Sequence, residues 1–226
     1  MSGSAIRALL ALVATLFVFV GCTRDSVQRG MDCIELGDYE MARQFFEEEL
    51  RENPRNFEAR VGMGKSFLQE AWAESPDSTA LRKALVHLEA ARSIESRPFL
   101  KQLLAEVWSL YGSMKATQGD TLGALTALSF SLDHAPDGTD ALNLAGALYA
   151  SFGHAARAES LFTRAARGDS LNTKSLFNLG MLQWHRKHYA EAAKYWRRIT
   201  NLDSTDVQAT LWLQRAQERL SREPGR

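Results

Sequence analysis

Several kinds of residue are scarce in this sequence of 226 residues, and each scarcity excludes a class of protein. Only two cysteines are present, too few for a disulfide framework. There are five prolines, and runs of β-branched residues are almost absent after residue 30, so a sheet has little from which to form. The 27 basic and 27 acidic residues balance, which gives no electrostatic reason to expect a nucleic acid as partner.

The beginning of the sequence, residues 1–21, differs from the rest of the chain. Arg7 is its only charged side chain, and every position from 8 to 20 is apolar or Thr. This stretch is too short for an ordinary membrane-spanning helix and is typical of the hydrophobic region of an export signal. It ends in Phe19-Val20-Gly21-Cys22. This ending resembles the lipobox of bacterial lipoproteins, although Phe19 departs from the leucine that is usual there.

The lipobox resemblance implies that residues 1–21 are a signal peptide and that Cys22 becomes the lipidated N-terminus. The protein would then face the periplasm from a bacterial membrane. Thr23 stands where an Asp would resemble an inner-membrane retention signal, so the outer membrane is the expected location. The alternative is an ordinary cleaved signal or an uncleaved anchor, with Cys22 incidental. If Cys22 is lipidated, Cys33 has no partner for a disulfide, and we expect Cys33 to be a small buried side chain on the first helix.

Glycines and alanines recur through the rest of the chain at a fixed spacing. Successive glycine positions differ by 34, 48, 34 and 34, and successive alanine positions by 42, 40, 34 and 34. The positions are Gly30, Gly64, Gly112, Gly146 and Gly180, and Ala42, Ala84, Ala124, Ala158 and Ala192. A large apolar residue follows each alanine by four: Phe46, Leu88, Leu128, Phe162 and Trp196. Two insertions, around Trp72–Thr79 and between Pro98 and Ala105, explain the longer separations. A fixed period of this length indicates a repeat architecture.

This pattern resembles the tetratricopeptide repeat (TPR). The resemblance implies an all-α fold, a right-handed superhelix (α-solenoid) of helix-turn-helix hairpins over residues 22–206. The five repeats are expected at about 23–56, 57–98 with its insertion, 99–138, 139–172 and 173–206. Within residues 207–226, a helix from about Val207 to Ser221 fits the capping helix that such arrays need, and its Leu213, Ala216 and Leu220 are spaced to cover the last hairpin.

The repeated residues have a simple packing interpretation. The glycine allows the two helices of a hairpin to approach closely, the alanine admits the next hairpin, and the large side chain fills the gap between helices. The residues inserted at Phe99–Leu104 are mostly apolar and favour helix, so we expect them to lengthen the first helix of the third repeat. Pro76, in the other insertion, is expected to end a helix.

The sequence offers little for catalysis. His185 and His188 have no third ligand at a recognisable spacing, and Glu47-Glu48-Glu49 is most simply a solvated helix face. No glycine-rich phosphate loop, nucleophile elbow or paired-cysteine zinc motif is present. We therefore expect no enzyme activity, no cofactor, no metal and no small-molecule substrate.

In TPR arrays the first helix of each hairpin lines a groove that binds partners. In the fifth repeat Phe177, Met181 and Trp184 form an apolar stripe that exceeds what the hairpin itself needs. The corresponding side chains are Val61, Lys65 and Leu68 in the second repeat and Asn143, Ala147 and Ala150 in the fourth. The stripe either binds a partner or packs against neighbouring first helices or the capping helix. Lys65, Asn143 and Asn178 do not form the clamp with which some TPR arrays bind acidic chain termini.

The expected function is that of a membrane-anchored adaptor in the bacterial cell envelope. Its partner would be another envelope protein, recognised through an extended or helical hydrophobic segment. Lipoproteins of this size and repeat type resemble pilotins and barrel-assembly accessories, so a narrower version is assembly of a pilus, a secretin or an outer-membrane barrel. The alternative is a regulator that docks an envelope enzyme such as a peptidoglycan hydrolase.

Overall fold

The computed structural model describes residues 25–73, 78–169 and 171–222. The predicted signal peptide, Cys22 and Pro76 lie outside these residues. Within them the chain forms eleven α-helices and no strand, which confirms the predicted all-α class. None of these helices combines the length and the apolar character that crossing a bilayer requires.

The chain divides into two compact units, Met1–Arg97 and Pro98–Arg226. The helices of the first unit are α1 (Ser26–Glu35), α2 (Tyr39–Glu52), α3 (Phe57–Ala73) and α4 (Ser78–Ile94). Those of the second unit are α5 (Pro98–Thr117), α6 (Thr121–His134), α7 (Thr139–Ser151), α8 (Ala155–Gly168), α9 (Thr173–His185), α10 (Tyr189–Leu202) and α11 (Val207–Arg222). Within each unit, consecutive helices pack in pairs as hairpins, and each hairpin packs against the next.

Helix α5 contains the six inserted residues. It spans 20 residues, against 13 for α7 and α9. The prediction that Phe99–Leu104 lengthen the helix is therefore confirmed. Leu100 and Leu104 are fully buried on it, so the added turn contributes to the apolar core of the second unit.

Short polar side chains start several helices. Asp38, Asp120 and Asn172 each accept a hydrogen bond from the backbone N–H three residues later, at 2.9–3.0 Å. These bonds satisfy N–H groups that the first turn of a helix leaves without a partner. The turns inside four hairpins need a residue with positive φ, which is Gly37, Gly119 or Gly153 in three of them. Lys187 takes that conformation in the fifth hairpin, with φ 63°.

Each repeat glycine faces the large apolar side chain of its own hairpin. A Cβ atom added at Gly30, Gly146 or Gly180 would lie 2.5 Å from an atom of the Phe46, Phe162 or Trp196 ring, respectively. The same relation holds for Gly64 with Leu88 and for Gly112 with Leu128. A side chain at these glycines would push the paired helices apart, because interiors are close-packed.

Phe46 is enclosed from two hairpins. Gly30 on α1 lies on one side of the ring, and Gly62 on α3 contacts it from the next hairpin. Gly62 is not one of the glycines that recur with the repeat spacing. The Phe46 ring is fully buried, so it links the first two hairpins of the first unit through their closest backbone approaches.

The capping helix α11 packs on α10. Ala209 and Ala216 are fully buried, and Trp212 and Leu213 pack against the same apolar cluster. The prediction that Leu220 covers the last hairpin is met only in part, because 40% of this side chain is exposed. It lies in the last turn of α11 and lines a surface pocket together with the turn at residues 186–191 of the last hairpin.

Candidate protein-interaction face

The apolar stripe of α9 is partly buried and partly open. Phe177, Met181 and Trp184 are half-buried and pack against a cluster that includes Leu176 and Trp196. Their spacing of four and three residues places them on one face of the helix. The stripe thus contributes to the core of the last hairpin and still presents part of its surface to solvent.

Trp184 meets the capping helix. Its ring centroid lies 5.4 Å from that of Trp212 on α11 and 4.9 Å from that of Tyr189, both edge to face. The Trp212 centroid is also 5.5 Å from that of Trp196. Such pairs are worth about 0.5–1.5 kcal/mol each beyond the area they bury. Packing under the capping helix, which is one of the two interpretations that the sequence allows, is therefore a structural role of this stripe.

Two further side chains belong to this face and were missed from the sequence. Trp212 is half-buried, and the guanidinium carbon of Arg215 lies 4.8 Å from the centroid of its ring. Ala209, Trp212, Leu213 and Ala216 follow the spacing of one helix face, and this pattern could have identified Trp212. We define the docking face as Ala147 on α7, Phe177, Met181 and Trp184 on α9, and Trp212 and Arg215 on α11.

The α7 part of the predicted groove needs a correction. Ala147 is exposed and Ala150 half-buried, but Asn143 is buried and serves as an internal contact. Asn143 Nδ2 donates to Ser175 Oγ at 2.9 Å, and Asn143 Oδ1 accepts from Asn178 Nδ2 at 3.5 Å. The first helices α7 and α9 touch directly, so these amides join neighbouring hairpins and Asn143 is not available to a partner.

The predicted groove positions in the first unit also need correction. Val61 and Leu68 are both 1% exposed and so cannot line an open groove. Helix α3 is packed by α1, α2 and α4, and these two side chains belong to that interior. Lys65, between them on the helix, is half-buried.

The five repeat alanines are all fully buried: Ala42, Ala84, Ala124, Ala158 and Ala192. Trp196 is fully buried too, and its indole nitrogen has no hydrogen-bond partner among the described residues. A buried N–H without a partner costs about 1–3 kcal/mol. Trp196 therefore buries a large apolar ring together with an unpaired N–H group. Burying that group costs free energy, and Phe46 and Phe162 have no such group.

The histidines and glutamates that could serve a metal or a catalytic site do not form a cluster within the described residues. No group of three or more His, Cys, Asp or Glu residues suited to a metal occurs in the described stretches. His185 is exposed, and His188 Nδ1 lies 3.1 Å from Gln183 Oε1. Glu47 and Glu48 are exposed.

Cys33 is half-buried, so the expectation of a buried side chain is wrong. Burial raises the pKa of its thiol, and Asp38 and Asp32 raise it further. A raised pKa leaves less thiolate at neutral pH, which opposes nucleophilic reactivity.

Known proteins share this architecture. Residues 148–207 match the family model described as tetratricopeptide repeat. A stretch of 147 residues, 65% of the chain, is 27% identical to the BBSome complex member bbs-4 of Caenorhabditis elegans and spans only 31% of that protein's length.

Two solved structures extend the likeness to most of the chain. A tetratricopeptide repeat protein from Parabacteroides merdae is 16% identical with a TM-score of 0.59, covering 87% of this chain and 73% of that one. YrrB, described as a TPR protein with an unusual peptide-binding site, is 14% identical with a TM-score of 0.55. The match covers 89% of this chain and 96% of that one. The TPR-type hairpin fold predicted from the repeat is confirmed. This fold typically serves as a non-enzymatic scaffold for protein–protein interaction.

Proposed function

We propose that the protein is a lipid-anchored scaffold of the bacterial cell envelope that binds another envelope protein through the docking face. The observation that carries the proposal is the partly open aromatic surface on α9 and α11, where Trp184 and Trp212 remain half-buried. Trp and Arg are among the residues that most often dominate the binding energy of protein interfaces. YrrB, whose description names a peptide-binding site, has the same fold.

The anchor is proposed from the lipobox resemblance at Cys22. Acyl chains contribute about 0.8 kcal/mol for each buried CH₂, so a multiply acylated cysteine holds a protein on a membrane stably. We expect Cys22→Ser to abolish labelling by a radioactive fatty acid and to leave the unprocessed precursor. Unchanged labelling of this variant would show that the anchor is elsewhere or absent.

The docking face is best tested at Ala147, since this side chain is exposed and its replacement removes no buried contact. A photo-crosslinking amino acid at position 147 should capture a partner in intact cells, and mass spectrometry of the adduct would identify it. The matched control is Ala190 on α10, which is also exposed but lies outside the docking face. Equal capture at both positions, or none at 147, would exclude this face.

Affinity can then be measured with the partner so identified. Ala147→Arg adds a long side chain to the docking face and should weaken binding by about tenfold or more, equivalent to about 1.4 kcal/mol. Ala190→Arg introduces the same charge and should leave binding unchanged. The identity of the partner separates an assembly role from the docking of an envelope enzyme.

A further inference from the structure

Charge is segregated between the first hairpin and the last part of the chain. Residues 25–56 contain nine acidic and four basic side chains, whereas residues 173–222 contain four acidic and nine basic ones. The net charge of the whole chain is zero, but these two regions carry opposite net charges. Opposite potentials of this kind steer association and select partners.

The acidic region has a defined helix flank. Met41, Phe45, Glu48 and Glu52 follow one another on α2 at spacings of four, three and four residues, so they share one side of the helix. Glu48 and Glu52 are exposed, and neither forms an ion pair with another described residue. Met41 is 41% exposed, and Phe45 is half-buried. The guanidinium carbon of Arg29, on α1, lies 4.6 Å from the centroid of the Phe45 ring. We call these four residues the acidic flank.

The side of α2 that carries the acidic flank is turned away from the second hairpin. Arg43, on the other side of the helix, forms a bidentate ion pair with Glu70 of α3 at 2.9 and 3.0 Å. Of the acidic flank, only Phe45 is shown in contact with α1, through Arg29, and Met41, Glu48 and Glu52 are exposed. Packing within the first unit therefore leaves the acidic flank accessible.

The basic region has a matching flank on α11. Trp212, Arg215, Arg219 and Arg222 follow one another at spacings of three, four and three residues and so share one side of the helix. The three arginines are exposed, and within the described residues none is paired with a carboxylate. Arg215 is held over the Trp212 ring. We call these four residues the basic flank.

We infer that the protein associates with a second copy of itself, the acidic flank of one copy docking on the basic flank of the other. Each flank offers an apolar element beside two or three charges, Met41 and Phe45 on α2 and Trp212 on α11. Paired arginine and carboxylate groups at a contact form charge-assisted hydrogen bonds. The contact is heterologous, because the two surfaces differ. The two copies at the ends of an assembly therefore keep one free flank each, and further copies can add until a ring closes.

This inference goes beyond the proposed function and uses different readouts. Self-association is a property of the purified chain alone, whereas the proposed function requires another protein. Since Trp212 and Arg215 belong to both the basic flank and the docking face, a bound second copy would compete with the partner for these two side chains of α11.

A charge-swap experiment tests the inference directly. The full chain, purified in mild detergent, should show a concentration-dependent mass in sedimentation velocity at low salt and fall to the monomer in about 0.5 M NaCl, where exposed charges are screened within a few ångströms. Two variants reverse one flank each: Glu48→Lys with Glu52→Lys, and Arg215→Glu with Arg219→Glu. Each variant alone should be monomeric, since both of its flanks now carry charge of the same sign and the flanks of two copies repel each other.

The mixture of the two variants is the decisive sample. Every flank of one variant is opposite in charge to the flanks of the other, so the mixture should recover assemblies that neither forms alone. A matched control, Arg51→Glu with Arg55→Glu, changes charge by the same amount at exposed positions of the first hairpin outside the acidic flank and should still assemble. Circular dichroism of each variant verifies folding.

Three results would overturn the inference. A wild-type chain that stays monomeric at low salt excludes a second copy as occupant, and a mixture that fails to reassociate excludes these two flanks. The third is a monomeric chain whose basic flank binds vesicles containing phosphatidylglycerol and loses that binding in the Arg215→Glu, Arg219→Glu variant. That outcome would assign the basic flank to an anionic lipid surface.

Discussion

Phe67 in the first unit and Trp196 in the second are both buried aromatic rings, but they have different neighbours. Phe67 is surrounded by charged or titratable groups: the Arg43 guanidinium at 4.7 Å, the Lys83 ammonium at 5.3 Å and the His87 ring at 6.1 Å. Trp196 is surrounded by other aromatic rings, with centroids of Phe177, Trp184 and Trp212 between 5.5 and 6.2 Å away. The same hairpin geometry thus surrounds one buried ring with charged or titratable groups and the other with aromatic rings.

This difference shows that the repeated residues determine how closely the helices pack, and not which interactions surround the buried rings. The glycine, the alanine and the large side chain set how close helices come, and the remaining positions can be filled with cations or with aromatic groups. We expect the first unit to respond to pH, and the second unit to respond mainly to changes in side-chain volume.

The largest effect is expected from truncating the central ring of the second unit. Trp196→Ala should lower the free energy of unfolding by about 3–5 kcal/mol, because it leaves a large cavity among the other rings. Amide hydrogen exchange should accelerate across α9 to α11 and much less in α2 to α4. Trp196→Phe, which keeps a ring and removes the unpaired indole N–H, should cost far less. If both substitutions destabilise equally, the aromatic cluster is not the source of stability.

Overpacking the glycine contact should have the next largest effect. Gly146→Leu places a side chain against Phe162 and should cost about 1–3 kcal/mol or more. Glu47→Leu, at an exposed position of α2, should change stability by less than about 0.5 kcal/mol. Thermal melts followed by circular dichroism compare the two variants, and equal melting temperatures would contradict the helix register described above.

The first unit should show a pH dependence that the aromatic cluster lacks. Burial, reinforced by the charges of Arg60 and Lys83, lowers the pKa of His87 from 6.5 to about 4. Because the folded state binds the proton more weakly than the unfolded chain, His87 contributes fully to stability above pH 6.5, and this contribution is lost as the pH falls toward 4. Partial exposure of the ring limits the loss to about 1–2 kcal/mol.

Replacing this histidine separates its titration from that of the carboxylates. His87→Gln should remove the part of the pH dependence between about pH 6.5 and 5, where few other side chains titrate. Chemical denaturation of both proteins at several pH values measures the difference. Parallel curves over that interval would exclude His87 as the source.

The smallest effect concerns the turn of the fifth hairpin. Lys187 adopts φ 63°, where Gly153 adopts φ 76° at the equivalent turn. Lys187→Gly should stabilise the protein by about 0.5–1 kcal/mol, since the left-handed conformation is costly for a side chain with a Cβ atom. The reciprocal change Gly153→Lys should destabilise by a similar amount. Denaturation midpoints of the two variants should therefore move in opposite directions from that of the wild type.

The helices and their pairing could be predicted from the sequence because they depend on short-range patterns. The spacing of glycine, alanine and the large apolar residue is a property of one hairpin, and the added length of α5 follows from six inserted residues, four of them apolar, without a turn signal. Exposure at the docking face could not be predicted in the same way. Asn143 is buried because α7 and α9 touch, and Val61 and Leu68 because α3 has three packed neighbours. These are contacts between hairpins, which the periodicity of a single helix does not specify.

The enclosure of Phe46 between two glycines has a consequence for the kinetics of folding. Gly30 and Gly62 flank Phe46 in the chain at equal sequence separations, and the glycine-to-ring contacts of the fourth and fifth hairpins span the same distance along the sequence. Contacts between residues so close in sequence give a low contact order, which is associated with folding in microseconds to milliseconds. The insertion lengthens the corresponding separation between Gly64 and Leu88. Since the entropic cost of closing a loop increases with its length, the second hairpin is the one expected to close last.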